Sequence, residues 1–259
     1  MRKMLGAVVG DIIGSVYEFA NIKSKDFPLF SSRSRFTDDT VLTMATMDAL
    51  IHKLPFGEAY RAWFQRYPQA GYGRSFKAWA ESGQNEPYNS WGNGSAMRVS
   101  PIGFYYKTLD EVLAAAKQSA EVTHSHPEGI KGAQATAAAV FLAKHGETKS
   151  KLKETVEQEF GYNLNEPLAK IRKGYTFDVS CQGSVPQAIR AFLESENFED
   201  AIRNAISIGG DSDTIACITG ALAEAYYGHV PEEIKKQALT YLDDPLQALL
   251  NSFYEVAQD

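Results

Sequence analysis

Apolar residues recur along this chain at helical spacing. Leu5, Val8, Val9, Ile12, Ile13 and Val16 form a wide apolar face that predicts a helix over residues 4–20. Val41, Leu42, Met44, Ala45, Met47 and Leu50 predict a second over about 38–53, and a shorter amphipathic helix follows over about 57–67. Residues 68–75 read as a loop. Helical periods return over 109–122, over an alanine-rich 128–144, and as surface helices in the lysine-rich 149–174. Residues 183–205 read as two short helices. The small apolar run Ile215, Ala216, Cys217, Ile218, Ala221, Leu222 suits a buried helix, Pro231 opens another, and the last spans about 237–256. No stretch alternates with a period of two, and no repeat or long linker divides the chain. The pattern predicts an all-α fold: one domain over residues 1–259, a compact, orthogonal helix bundle with loops feeding a cleft at one end.

Glycine punctuates the first helix. Gly6, Gly10 and Gly14 recur at a spacing of four. Glycine weakens a helix, so the stripe indicates close helix contact or a terminal bend. Gly71-Tyr72-Gly73-Arg74-Ser75 is a fragment of a phosphate-loop look-alike that lacks the G-K-[ST] ending.

Composition narrows the class. A hydrophobic share of 44% and a charged share of 22% are ordinary for a globular domain. The net charge of -6 disfavours broad nucleic-acid binding and leaves room for a local basic pocket. Cys181 and Cys217 form neither a disulfide framework nor a C-x-x-C pair, so a reducing cytoplasm is the expected location. No apolar run is long enough to span a membrane. The basic, apolar start imitates a signal peptide, but Asp11 interrupts it and no convincing cleavage site follows.

The chemistry concentrates at two helix mouths. Ile208-Gly209-Gly210-Asp211-Ser212-Asp213-Thr214 crowds oxygen atoms ahead of a dry helix, and Thr37-Asp38-Asp39-Thr40 does the same. Capping is the plain explanation for one such oxygen. Two acid-rich mouths exceed what capping needs, which suggests that they meet. Unit charges ~4 Å apart repel by about 4 kcal/mol at an effective dielectric near 20, so carboxylates gathered in one pocket demand a cation. An all-oxygen donor set favours Mg²⁺, Mn²⁺ or Ca²⁺ over Zn²⁺. An EF-hand loop is excluded, because Ile215 and Leu222 stand where it needs oxygen ligands.

Three further places carry candidate chemistry. Asp11 and Glu18 lie seven apart, on about the same face of the predicted first helix. Glu18 closes the apolar stretch and is placed to enter a cleft. Gly92, Asn93, Gly94 and Ser95 form a turn just before a helix, with Arg98 one turn inside, a cradle for phosphate or sugar. In Thr123-His124-Ser125-His126-Pro127 the two histidines do not share a helix face, so zinc is disfavoured. His124 is a candidate hydrogen-bonding pocket residue.

Together these stretches resemble the ADP-ribosylglycohydrolase family. The matching motifs are G-D-I-I-G-S-V-Y-E at 10–18, F-T-D-D-T at 36–40, W-G-N-G-S-A-M-R at 91–98, T-H-S-H-P at 123–127 and G-G-D-S-D-T at 209–214, in family order across nearly the whole chain. The resemblance implies an all-α fold with a dinuclear cleft holding two divalent cations, Mg²⁺ or Mn²⁺. It implies metal ligation by Thr37, Asp38 and Asp39 from one side and by Asp211, Asp213 and Thr214 from the other. It places Glu18 near the substrate or the second metal. ADP-ribose contacts would come from the 92–98 loop (Gly92, Asn93, Gly94, Ser95, Met97 and Arg98), from His124, and from Gly209 and Gly210. Ser95 departs from the alanine frequent in the family at that place. The implied reaction is hydrolysis of the N- or O-glycosidic bond between ADP-ribose and a modified target, with Asp39 and Glu18 the candidate acid or base. The implied partner is an ADP-ribosylated protein, through a side chain such as arginine or serine, or a small-molecule conjugate. Nucleic acid enters only as an ADP-ribosylated substrate.

Other readings compete. All-α isoprenoid synthases also use aspartate-rich helices, but their D-D-x-x-D fails at Leu42. The resembled family includes lens crystallins, so a structural or binding-only protein of the same fold is the main non-enzymatic alternative. The retained acid clusters weigh against it.

Overall fold

A computed structural model describes residues 4–257. The basic start that lends the chain its leader-like look falls at residues 1–3, outside the described residues. Among the described residues fifteen helices follow one another: α1 (Gly6–Gly14), α2 (Asp38–His52), α3 (Phe56–Arg66), α4 (Arg74–Ser82), α5 (Gly94–Met97), α6 (Ser100–Tyr105), α7 (Leu109–Glu121), α8 (Pro127–Lys144), α9 (Lys149–Phe160), α10 (Leu168–Gly174), α11 (Cys181–Leu193), α12 (Phe198–Ser207), α13 (Ser212–Tyr227), α14 (Glu232–Leu239) and α15 (Asp244–Val256). Among the described residues there is no named strand, and an isolated bridge joins Gly92 to Ser180. The fold is all-α, as the periodicity indicates.

The core is built on α1 and α13. Every residue of α1 is buried, and α13 is buried from Ser212 to Ala225. The glycine stripe explains their closeness. A Cβ on Gly10 would stand 2.0 Å from the Ala216 carbonyl oxygen, and one on Gly6 would stand 2.2 Å from that of Gly220. Glu224 of α13 then accepts the free Gly6 N–H at 2.6 Å, a side-chain substitute for a missing cap. Around this pair, α8, α11 and α12 pack on α13, while α2 packs on α1 and on α15.

Three boundaries differ from the sequence pattern. The first helix stops at Gly14 rather than near residue 20, so Asp11 lies inside it and Glu18 in the turn beyond. The two acids therefore do not share a helical face. The last helix starts at Asp244 rather than near 237, because Asp243 caps it by accepting the Leu246 N–H and Pro245 sits in its first turn. Helix α4 begins inside the expected loop and buries Phe76, Trp79 and Ala80. Its apolar residues, Phe76, Ala78, Trp79 and Ala80, follow directly on the glycine-rich loop signal, which hides where the helix starts.

Candidate active site

The two acid-rich helix mouths meet. The starts of α2 and α13 open onto one cavity of about 350 Å³, lined by Glu18, Asp38, Asp39, Asp211, Asp213 and Thr214 on its acidic side. Local folding accounts for each placement. Thr37 takes the capping position of α2, accepting the Asp39 N–H with its hydroxyl. That leaves the carboxylates of Asp38 and Asp39 free of capping work. At α13 the capping position belongs to Asp211, yet its side chain makes no cap bond. Its Oδ2 instead accepts from Asn93 Nδ2 at 2.6 Å, and the same amide donates to Ser184 Oγ at 2.9 Å. Capping therefore explains Thr37 and leaves the aspartates unexplained.

The turn ahead of α13 is braced from behind. Gly209 and Gly210 both have φ near +75°, a conformation that favours glycine. Asn21 holds Gly210 through both its carbonyl and its N–H, at 2.9 and 2.7 Å, and Lys23 donates to the Ile208 carbonyl. These ties bring the 15–23 segment against the turn and set Glu18 beside Asp213. Carboxylate oxygens of Glu18, Asp211 and Asp213 lie within 4.8 Å of one another. Asp39 completes the acidic wall: Thr214 Oγ1 donates to its Oδ2 at 3.3 Å, while its Oδ1 is buried with no hydrogen-bond partner.

Electrostatics follow from this crowding. Burial, and then the charge of Asp213, push the Glu18 carboxyl up to about 8. Burial raises Asp211 to about 6. Asp38, Asp39 and Asp213 are held well above the usual carboxylate range by burial first and neighbouring carboxylates second. A set of acids that resist ionisation together is the donor set of a hard cation.

Asp11 plays a different part. It is fully buried and accepts from the Thr37 N–H at 2.9 Å, the Thr37 hydroxyl at 2.7 Å, the Thr40 N–H at 3.1 Å and the Thr40 hydroxyl at 2.5 Å. It fixes the first turn of α2, and with it the aim of Asp38 and Asp39.

The opposite wall is the 91–98 loop with His124. Gly92, Asn93, Gly94, Met97, Arg98 and His124 line the cavity. The Arg98 guanidinium turns inward: Nη2 donates to the Ser119 carbonyl at 3.0 Å and to Thr123 Oγ1 at 2.8 Å, and it lies over the Tyr60 ring. The same Thr123 hydroxyl shares a hydrogen bond with His124 Nδ1, 2.7 Å away. The other ring nitrogen, Nε2, lies on the side of Gly92 and Gly94. Burial and the nearby Arg98 charge keep His124 well below its ordinary value, so the ring stays neutral. Ser95 is fully buried and donates to the Gly129 carbonyl at 2.7 Å, which anchors the loop to α8. Thr37, Ser95, Gly209 and Gly210 stand behind the cavity wall rather than on it.

Some lining residues were not singled out by sequence. Gly71, Gly73, Arg74 and Ser75 line the cavity, so the discounted phosphate-loop fragment reaches it after all, at the amino end of α4. Tyr88, Ser90 and Val179 also line it. Val179 arrives from a distant segment through the bridge that pairs Gly92 with Ser180, a contact without any local signal.

A family model described as ADP-ribosylglycohydrolase matches residues 2–259. The chain belongs to the ADP-ribosylglycohydrolase family. It is 28% identical to the ADP-ribosylhydrolase ARH3 of Mus musculus over 99% of this chain and 91% of that one. It is 26% identical to the ADP-ribosylarginine hydrolase Tri1 of Pseudomonas putida, over 91% of this chain and 73% of the other. A solved structure called an ADP-ribosylglycohydrolase-related protein complex superposes with a TM-score of 0.75 at 24% identity, covering 99% of this chain and 96% of that one, which shows the shared fold. Membership makes the chain a glycohydrolase, and the acidic cavity is the place where it has chemistry to offer. Among the described residues no helix is long and apolar enough to cross a membrane.

Proposed function

We propose that this chain is a metal-dependent hydrolase that cleaves the glycosidic bond between ADP-ribose and a modified target and releases ADP-ribose. The observation that carries the proposal is the convergence of five carboxylates on one cavity with Asp39 Oδ1 buried and unpartnered. A buried, partnerless carboxylate oxygen among acids is costly. The residues that line the cavity fit a pair of hard divalent cations, Mg²⁺ or Mn²⁺, held by Asp38 and Asp39 on one side and by Asp211, Asp213 and Thr214 on the other, while Thr37, expected as a ligand, caps the helix that carries Asp38 and Asp39. Such ions, when bound, stabilise charge on ribose oxygens and lower the pKa of water.

The chain's own groups divide the remaining work. Glu18 is half-exposed at the mouth of the acidic wall and is the candidate to orient water or take its proton, with Asp39 as the second candidate. His124 Nε2 and the backbone of Gly92 to Gly94 offer polar contacts to the sugar. Arg74 and the amino end of α4 offer positive potential to the diphosphate. Met97 gives the ligand an apolar contact, while Arg98 holds Thr123 and His124 in position. Ser95, Gly209 and Gly210 support the walls. The negative wall favours an oxocarbenium-like transition state over the neutral ground state.

The target is an ADP-ribosylated protein, linked through a side chain such as arginine or serine. Family membership and the ADP-ribosylarginine hydrolase among the relatives support this class. The whole of residues 1–259 acts as one domain. Two buried free cysteines support a reducing, cytoplasmic setting. The test is release of free ADP-ribose from arginine-, serine- and nucleic-acid-linked substrates, with and without Mg²⁺. Metal-dependent release from a protein linkage is expected. Binding of ADP-ribose with no release from any substrate would overturn hydrolysis in favour of a binding module.

A further inference from the structure

Phe19, Leu54, Trp91, Phe177, Val179 and Val256 are the large apolar side chains exposed to solvent among the described residues. Four of the six belong to segments that meet at the acidic cavity. Phe19 follows Glu18, Trp91 precedes Gly92, and Val179 lines the cavity itself. Phe177, two residues before Val179, stacks on Phe19 with ring centroids 6.2 Å apart and planes 22° apart. Exposed apolar residues scattered singly are ordinary, whereas a cluster at the rim of a site marks a surface that is covered when the site is in use.

The chain holds this strip in place without covering it. Phe19 is 82% exposed, Phe177 48% and Val179 53%. Lys23 donates to the Tyr175 carbonyl at 2.7 Å and to that of Ile208, which ties the segment of Phe19 to that of Phe177. The Asn93 N–H donates to the Val179 carbonyl at 2.8 Å, which ties the same strip to the opposite wall of the cavity. An apolar surface ordered in advance loses little freedom when a ligand covers it.

Place, size and charge decide what covers the strip, given the reading above that the cavity takes ADP-ribose with the scissile bond at the acidic wall. Glu18 belongs to that wall, and Phe19 stands beside it but outside the cavity, where the group that leaves the ribose must lie. The exposed surface of Phe19, Phe177 and Val179 is on the order of 300 Å². That suits one or two side chains and falls short of the ~800 Å² per partner of a stable dimer. The net charge of -6, with Glu18 and Asp178 next to the two rings, disfavours a polyanionic nucleic-acid strand. We propose that Phe19, Phe177 and Val179 dock the polypeptide that carries the ADP-ribose, by taking an apolar side chain next to the modified residue.

The test is fluorescence anisotropy on the full chain loaded with Mg²⁺. The probes are two labelled peptides that carry ADP-ribose through a C-glycosidic link, which leaves no hydrolysable bond to the peptide. One has leucine on both sides of the modified position, the other glycine. The leucine peptide is expected to bind about tenfold more tightly. Phe177→Ser and Phe19→Ser, both at exposed positions that the core does not depend on, should each remove most of that preference and leave the affinity for free ADP-ribose unchanged. The inference is overturned if the two peptides bind equally or if both variants keep the preference. It is equally overturned if the variants weaken free ADP-ribose as much as the leucine peptide, which assigns the rings to the nucleotide, or if sedimentation shows a dimer that Phe177→Ser dissociates. Failure of hydrolysis leaves the preference intact, because the probes are not cleaved, and shows instead as no ADP-ribose release from cleavable substrates.

Discussion

Asp11 and Asp39 are both buried aspartates, and they sit at opposite ends of a physical scale. Asp11 receives four donors from Thr37 and Thr40. Asp39 receives the Thr214 hydroxyl at a long 3.3 Å and keeps one oxygen with no partner at all. The first carboxylate is satisfied by the chain itself and holds a helix in place. The second is satisfied only by something the chain has to bind. Burial alone does not separate scaffold from site. The count of donors that meet each carboxylate does.

The comparison makes opposite predictions for the two residues, and the largest concerns turnover. Asp39→Asn or Asp213→Asn should lower ADP-ribose release by about 10³-fold, while the metal-free variant unfolds at the same or a higher temperature than the parent, since a buried carboxyl crowded by other acids becomes an amide that cannot ionise. Asp11→Asn should instead lower stability by about 3 kcal/mol, because the amide presents donors to the donors of Thr37 and Thr40. A metal-free Asp39→Asn variant as unstable as Asp11→Asn would erase the distinction. Denaturant titration of the stripped proteins measures it.

The next effect is in pH. In the metal-free chain the acidic wall holds its protons to higher pH than an unfolded chain, whose carboxyls titrate near about 4. Glu18 reaches about 8 and Asp211 about 6. The folded state therefore binds more protons, so stability is fullest below about 4 and is lost as pH rises through about 8. Added Mg²⁺ should flatten this slope and raise stability by about 2.7 kcal/mol at a hundredfold excess over its Kd. A metal-free chain whose stability rises over that range would contradict the crowding of these acids. The smallest effect is expected at Ser184, which touches Asp211 only through Asn93. Ser184→Ala should weaken metal binding by about tenfold, read by calorimetry, with the fold intact.

Much of this site was legible in the sequence, for reasons that are local. Thr37, Asp38 and Asp39 stand together in sequence, as do Asp211, Asp213 and Thr214, and each set precedes a helix whose apolar face fixes its direction. The glycine spacing of four in α1 left close helix contact or a bend open, and the structure shows the contact, with α13. What the sequence hid is non-local. Glu18 was expected on a continuing helix face, but it occupies a turn pinned by Asn21 and Lys23 to a segment nearly two hundred residues away. Asp11 was expected only to share a helix face with Glu18, because nothing nearby reveals the threonines that saturate it. The Gly71–Ser75 loop looked like a failed phosphate motif. Its place on the cavity depends on how α4 packs, which nothing in residues 71–75 reveals.

The central claim, that these acids form one cation site, is tested most directly by calorimetric titration of Mg²⁺ or Mn²⁺ into the chelator-stripped protein near neutral pH, in buffers of different ionisation enthalpy. Saturable binding with a heat that varies with the buffer is predicted, because cations displace protons that Glu18 and its neighbours hold. No saturable uptake, or uptake equal in Asp39→Asn and the parent, would contradict it.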